Sequence, residues 1–398
     1  MNNTLKYYLY VVFGGIYALT TTGAVLQTFM LENGYTEVMT NVFFSVMNIV
    51  QVLSILVLTG VASKVRKTRI WMRNLYLLAF PFAIMLTVMC YFPSAAKLTA
   101  LLYLLGAIYN VAVGVQGVLS YKLPYIIMDM KDYGRIMALS GSISGAVCFA
   151  LSMILSFLLG RFDYISIMRI AYIVSVFMIA LAALVMHLFK ENNLQEISSN
   201  SSGKTNILKY KPFTYLILPN ITRGFCLGMV NIAVTIGYYH KCIDSYSASI
   251  IVIITSAMTI IGCLVYSRIS GVLKDRKILL YSSIAVAIFM PLMVMRGSTV
   301  DFLIFYTIVY FFVTIINYAV PVTVTKIADY DIIGQYSAGR MLLNTLGTSI
   351  AGFVCVWLFE RIGVVATMAM SGGLQLFSGV GYYVYLKRYV KIKDSNEI

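Results

Sequence analysis

Long apolar runs separated by short polar breaks make up the pattern of this chain. Each run is about 20 residues long, the length that an α-helix needs to cross the hydrocarbon core of a bilayer. The strands of outer-membrane barrels are about half as long and alternate in polarity, so these runs predict helices. Twelve spans are predicted, at about 7–31, 38–62, 70–92, 98–121, 136–159, 165–189, 213–239, 248–270, 278–296, 302–322, 341–359 and 364–386. The expected fold class is therefore an all-α membrane protein.

The longest polar break, KENNLQEISSNSSGKTNILKYK, separates the sixth span from the seventh. Its Ser, Asn and Lys content is typical of a flexible linker. The predicted organisation is a six-helix bundle over 1–190, a cytoplasmic linker over 191–211 and a second six-helix bundle over 212–398. The first residues lack a basic segment followed by a small-residue cleavage site, so they are predicted to belong to the first span and not to a removed signal peptide.

Composition supports this picture, because 60% of the 398 residues are hydrophobic and only 11% are charged. The net charge of +15 is explained by orientation. If both termini are cytoplasmic, 23 of the 30 basic residues lie on the cytoplasmic side, six lie on the other side, and Arg223 lies within a span. Such asymmetry is the positive-inside pattern of a multi-pass protein of the plasma membrane, and it requires no nucleic acid.

The six cysteines have no metal-ligand spacing, and five of them fall inside predicted spans. They are interpreted as small apolar residues. No metal site and no cofactor is predicted. Neither a Ser/His/Asp arrangement nor paired carboxylates occur within the spans, so no enzyme activity is predicted.

Two polar stretches about 200 residues apart share one plan, and this indicates an internal repeat. The first is PYIIMDMKDYGR (Pro124 to Arg135) and the second is PVTVTKIADYDIIGQYSAGR (Pro321 to Arg340). Each is predicted to be a short cytoplasmic hinge between two spans. The loops GVASKVRK and GVLKDRK form a second related pair. Two like-oriented halves correspond to a parallel repeat about an axis normal to the membrane.

At these residues the chain resembles the major facilitator superfamily. The loop after the eighth span fits the superfamily signature through Gly271, Asp275, Arg276 and Lys277. Within the superfamily, the second polar stretch is similar to the glycoside–pentoside–hexuronide:cation symporter branch, to which melibiose permease belongs. The matching residues there are Ala328, Asp329, Gly334, Tyr336 and Gly339, with Arg340 within one residue of the usual spacing.

The resemblance implies two pseudo-symmetric six-helix bundles that alternate in access around a central site. It also implies salt bridges between helix ends on the cytoplasmic side. Where that branch carries two cation-binding aspartates in its second span, this chain has Val52 and Leu56, and the first-half loop acid is replaced by Lys64. A lysine often found in the eleventh span falls at Thr345. The cation site is therefore not carried over, and coupling to H⁺ or Na⁺ is considered without an identifiable site.

Arg223 is the strongest internal signal of chemistry. It lies about eleven residues into the seventh span, roughly 16 Å from its start at 1.5 Å per residue, near the bilayer midplane. A charge at that depth costs at least a few kcal/mol and normally faces a partner or a water-filled cavity. One interpretation is a structural role, through snorkelling or backbone carbonyls. The other is a bound anionic or polyhydroxy substrate, with a carboxylate, phosphate or sulfate as the partner.

Further polar residues within the spans are candidates for substrate binding beside Arg223. The resemblance places the first, fourth, seventh and tenth spans around the cavity, although any one of these residues could equally form an interhelical hydrogen bond. The candidates are Tyr17, Thr21, Asn110, Gln116, Asn220 and Asn317.

Charged residues near the predicted cytoplasmic ends are candidates for a gate. They could equally be solvated loop charges, and their recurrence in both halves favours the gate. The candidates are Asp129, Asp132, Arg135, Asp275, Arg276, Asp329, Asp331 and Arg340.

The functional hypothesis is a monomeric secondary transporter of a small organic solute, a glycoside or sugar acid, by symport or facilitated diffusion. Its other partner is membrane lipid. The alternatives are an exporter of amphipathic metabolites or drugs, a lysolipid flippase, and a non-transport receptor or scaffold.

Overall fold

The computed structural model describes residues 2–21, 23–62, 67–92, 98–120, 123, 133–189, 211–270, 273–327 and 330–396. Nearly all of these residues are helical, and no β-strand occurs among them. The helices are α1 Asn3–Thr21, α2 Gly23–Glu32, α3 Glu37–Ala62, α4 Thr68–Met89, α5 Thr99–Ser120, α6 Tyr133–Leu159, α7 Tyr164–Leu188, α8 Lys211–Tyr215, α9 Ile217–Asn231, α10 Ala233–Tyr239, α11 Ser245–Ile269, α12 Asp275–Met295, α13 Thr299–Ile327, α14 Tyr330–Ile362 and α15 Val364–Asn396.

The twelve predicted spans correspond to these helices in chain order. The first span contains α1 and α2, which are separated near Gly23, whose φ of +59° is a left-handed conformation that glycine adopts without strain. Among the described residues, 10 helices are long and apolar enough to cross a membrane. The α9 and α10 pair, bent by 58°, makes 11 if it forms one span, and α11 adds a shorter apolar helix at Ile250–Tyr266. The chain is therefore a multi-pass membrane protein.

At the second polar stretch the helices extend beyond the predicted span ends at about 322 and 341. Helix α13 continues through Pro321 to Ile327, and α14 begins at Tyr330. Residues 328–329, between the two helices, lie outside the described part, so the hinge stays a prediction. Polar side chains leave the helical hydrogen bonds intact because those bonds join backbone groups. Of the first stretch, residues 124–132 lie outside the described part, and α6 begins at Tyr133.

Contacts divide the chain into two compact units. Unit 1 comprises Met1–Ser199 with Ile243–Ile260, and unit 2 comprises Asn200–Cys242 with Ile261–Ile398. The predicted boundaries 1–190, 191–211 and 212–398 follow chain order, whereas the contacts group the first part of α11 with unit 1. The exact domain boundaries remain a prediction.

The two units repeat one scheme of helix packing. In unit 1, α1 packs on α6 and α7, and α4 packs on α5 and α7. In unit 2, α9 packs on α14 and α15, and α12 packs on α13 and α15. When the spans are counted from one to six within each half, the first span packs on the fifth and sixth spans, and the third span packs on the fourth and sixth spans. The shared scheme supports the internal repeat that the sequence indicates.

Helices α9 and α14 approach so closely that their backbones touch. A Cβ atom added to Gly224 would collide with the carbonyl oxygen of Asn344. One added to Gly228 would lie 2.7 Å from the Cβ of Ala351, and one added to Gly347 would lie 2.9 Å from the Cα of Gly224. Small residues spaced four apart on both helices allow such contacts in membranes, where packing and hydrogen bonds drive association.

We expect Gly347→Ala to destabilise the protein by about 1–3 kcal/mol, the usual cost of overpacking a close contact. The added methyl group would meet backbone atoms of α9, which cannot rotate away as a side chain can. The measurement is the thermal unfolding temperature, Tm, of the purified protein in detergent. Gly373→Ala is the matched control, because Gly373 lies on α15 of the same unit with nothing within 4 Å of an added Cβ. Equal Tm values for the two variants would contradict the close contact.

Candidate functional site

Arg223 lies on α9, buried to 5% exposure, and α9 is anchored on two sides by other helices of unit 2. On one side, the glycine contact holds α9 against α14, and the Thr348 hydroxyl donates a hydrogen bond of 3.1 Å to the Gly224 carbonyl. On the other side, the Ser378 hydroxyl of α15 donates to the Pro219 carbonyl over 2.7 Å. The backbone around Arg223 is thus fixed before its side chain is considered.

The guanidinium group of Arg223 donates to two side-chain amides. One terminal nitrogen donates to Asn344 Oδ1 on α14 over 3.3 Å, and the other donates to Asn317 Oδ1 on α13. Both acceptors are neutral oxygens, so these contacts orient the guanidinium without cancelling its charge. A fixed, charged fork of N–H donors is suited to bidentate recognition of a carboxylate or phosphate.

Asn220 lies one turn before Arg223 on α9 and forms the second part of the site. Its amide nitrogen donates to the Leu216 carbonyl over 2.7 Å, and its Oδ1 accepts a hydrogen bond of 2.7 Å from the Tyr382 hydroxyl of α15. Tyr382 is 1% exposed. Arg223, Asn220, Asn317, Asn344 and Tyr382, here called the Arg223 cluster, bring together side chains from four helices of unit 2.

The structure assembles three of the predicted substrate-binding residues, Arg223, Asn220 and Asn317, in this cluster. Sequence reasoning missed Asn344 and Tyr382. Asn344 is the only asparagine in the predicted eleventh span, which is a usable signal. Tyr382 gave no comparable signal, because it is one of 30 tyrosines in the chain.

The predicted binding residues of unit 1 do not form a comparable cluster. Tyr17 is 5% exposed and packs edge-to-face on Tyr109, with ring centroids 5.8 Å apart. Thr21 donates to the Tyr17 carbonyl, and Asn110 donates to the Gly106 carbonyl over 2.9 Å, each within its own helix. Gln116 is half-buried. Tyr17 therefore packs among the core residues of unit 1, and its part in substrate binding stays a prediction.

The gate candidates are described only in part. Asp129, Asp132 and Asp329 lie outside the described residues. Arg135 belongs to α6 and Asp331 to α14, but their side chains lie outside the described part. The salt-bridge gate therefore stays a prediction.

The other gate candidates have defined places in unit 2. Asp275 is the first residue of α12, where the helix dipole favours a carboxylate. The Arg276 guanidinium lies 5.7 Å from the centroid of the Tyr383 ring, within cation–π range. Arg340, a gate candidate of the second polar stretch, lies within α14 and is buried to 8% exposure.

Potential metal ligands do not cluster in the described part of the chain. No group of three or more His, Cys, Asp or Glu side chains lies together there. All six cysteines are free thiols.

No protein-family model and no curated protein sequence matches the chain. Solved structures do match in fold over nearly the whole chain. A D-xylose–proton symporter gives a TM-score of 0.74 at 12% identity, with 96% of this chain and 97% of that one covered. The nucleoside transporter NupG gives 0.66 at 14% identity, with 97% and 100% covered.

A third match has a title that states its superfamily. It is the major facilitator superfamily transporter FucP in its outward conformation, with a TM-score of 0.64, 12% identity and 97% of each chain covered. Similarity at this identity concerns the fold, and it confirms the predicted major facilitator fold. The resemblance to one branch of the superfamily remains a prediction.

We expect Asn344→Leu and Asn317→Leu each to lower the Tm by on the order of 5 °C. Each change leaves a buried guanidinium N–H without its acceptor, at a cost of about 1–3 kcal/mol. The measurement is thermal unfolding in detergent. Asn110→Leu is the control, because the Asn110 side chain bonds within its own helix and should leave the Tm nearly unchanged. Unchanged Tm values in both test variants would show that the amides do not hold the arginine.

Proposed function

We propose that this protein is a secondary transporter that moves a small polyhydroxy solute with an acidic group, such as a sugar acid or an acidic glycoside, by alternating access. The observation that carries the proposal is Arg223, a buried arginine held by the neutral amides of Asn317 and Asn344 inside unit 2. The proposal assigns no catalytic residue.

The energetic argument starts from the cost of the charge. An arginine within a membrane span is expensive and is retained where it serves a substrate or an ion. An arginine with a purely structural role does not need its guanidinium to be oriented by side chains from two separate helices. Here α13 and α14 each contribute one amide, so the guanidinium is fixed in plane and position. A substrate carboxylate with hydroxyl groups around it would find a charged fork beside the Asn220 amide and the Tyr382 hydroxyl.

The solved structures with the same fold support the class of solute. Two of them are named as symporters of xylose and protons or of fucose and protons, and a third is named as a nucleoside transporter. Their names support a small hydroxylated solute and, of the two ions considered, the proton. The resemblance of the second polar stretch to glycoside–pentoside–hexuronide symporters supports an acidic sugar.

The apolar second span argues against a sodium site like that of the resembled branch. Val52 is buried to 6% exposure, and Leu56 is 55% exposed, so neither position presents a carboxylate to a cation. The proposal accordingly includes proton coupling without a sodium site in this span. We also propose that the protein lies in the plasma membrane with both termini cytoplasmic, as the distribution of its basic residues favours, and that it acts as a monomer.

We expect Arg223→Gln to weaken solute binding about 10- to 100-fold, which corresponds to the loss of one charge-assisted hydrogen-bonding group. Arg223→Lys should restore little, because an ammonium group cannot reproduce the planar fork. The measurement is the ligand-induced Tm shift with glucuronate, methyl glucuronide, melibiose, a lysophospholipid and a cationic drug. It is followed by uptake of the stabilising compound into proteoliposomes with an inward proton gradient.

Arg268→Gln is the matched control, because Arg268 is an exposed base at the end of α11. It should bind like the wild type. Stabilisation by the lysophospholipid or the drug alone would favour a flippase or an exporter. Unaltered uptake of an acidic sugar by Arg223→Gln would contradict the proposed binding site.

A further inference from the structure

Unit 2 contains a second buried arginine, Arg340, which is not part of the Arg223 cluster. Its side chain is 8% exposed, and its Nε is fully buried with no hydrogen-bond acceptor among the described residues. An arginine that snorkels keeps its charged head in water, whereas the Nε of Arg340 has no access to water. Arg340 also lies within the apolar segment Ala338–Ile362 of α14. The position therefore calls for an anionic partner.

The acidic residue near the start of α14, Asp331, is poorly placed to be that partner. Asp331 precedes Arg340 by nine residues, which is about 14 Å along a helix. That separation exceeds the combined reach of the two side chains along one helix. A partner from outside the helix is the simpler solution.

Arg340 and Arg223 both lie near Asn344 and Tyr382. Arg340 precedes Asn344 by four residues on α14, so the two side chains lie on one helix face, one turn apart. Asn344 in turn accepts a hydrogen bond from Arg223. Both arginines also lie within electrostatic range of the Tyr382 hydroxyl. Two guanidinium groups thus lie near one tyrosine hydroxyl and one asparagine.

Two like charges in a poorly hydrated site repel each other, and an anion between them removes that cost. We propose that Arg223 and Arg340 form one anion site for a doubly charged group, a phosphate monoester on a small polyhydroxy solute. A single carboxylate would balance one arginine, whereas a phosphate monoester carries close to two charges at neutral pH and three acceptor oxygens. The inference rests on the proposed function and changes the acidic group expected on the solute from carboxylate to phosphate.

The test compares solutes that share a sugar skeleton and differ in charge. Glucose, glucuronate and glucose 6-phosphate are titrated against the purified full-length protein at matched ionic strength, with the Tm shift as the readout. Inorganic phosphate is titrated in parallel to separate the phosphate group from the sugar. Each titration is made at pH 5.5 and pH 7.5, because the second phosphate ionisation has a pKa of about 6.

We expect glucose 6-phosphate to bind the wild type more tightly than glucuronate, and more tightly at pH 7.5 than at pH 5.5. In Arg340→Gln, affinity for glucose 6-phosphate should fall about tenfold or more, towards that for glucuronate, whose binding should change little. Arg340→Lys retains the charge and should keep part of the preference. Arg388→Gln, a change of an exposed base on α15, should match the wild type.

Equal binding of glucose 6-phosphate by the wild type and Arg340→Gln would overturn the inference. A wild type that prefers glucuronate at both pH values would also overturn it. If Arg340→Gln does not fold, Arg340→Lys and the pH dependence of the wild type decide. The phosphate inference can fail while the proposed transporter stands. That result would be stabilisation of the wild type by glucuronate that is lost in Arg223→Gln. Absence of any solute effect, with Arg223→Gln unchanged, would reject both.

Discussion

The contact between the backbones of α9 and α14 is the constraint on which the rest of unit 2 depends. Gly224 and Gly347 have no side chains, so the two helices approach until a carbonyl of one meets the glycine of the other. This approach sets the axial register of the helices to within a fraction of a turn. Asn344 therefore stands beside Arg223 and accepts its hydrogen bond. The position of Asn344 beside Arg223 thus follows from how Gly224, the residue next to Arg223, packs against α14.

The same packing scheme carries different chemistry in the two units. In unit 1 the equivalent pair is α1 and α6, which also meet at a glycine, since a Cβ on Gly15 would collide with the Ser144 hydroxyl. Around that contact unit 1 places tyrosines in aromatic contact, including Tyr10 on Tyr76 with ring centroids 5.7 Å apart. Around the corresponding contact, unit 2 has side-chain amides and arginines instead. One scaffold thus supplies an aromatic core in one half and a charged polar cluster in the other.

The sequence predicted the features that depend on one helix at a time. Span number followed from the length of the apolar runs, and the choice of Arg223 as a candidate followed from its depth. Features that depend on two helices were missed. Asn344 became relevant only through the register set by Gly347, and Asn110 looked equivalent to Asn317 although its amide bonds within its own helix. The tenth span was predicted to end at about 322 because polar side chains follow it, whereas the backbone hydrogen bonds of α13 continue to Ile327.

The choice of acceptors explains why the Arg223 cluster suits recognition. A carboxylate from the protein would bind the guanidinium strongly and cancel its charge, which would leave little attraction for an anionic solute. The amide oxygens of Asn317 and Asn344 supply direction at a lower electrostatic cost, and they preserve the positive field. Their helices, α13 and α14, differ from the helix that carries the arginine. A relative shift of these helices would therefore change how the charge is presented, and in the proposed transporter this would couple occupancy of the site to the arrangement of unit 2.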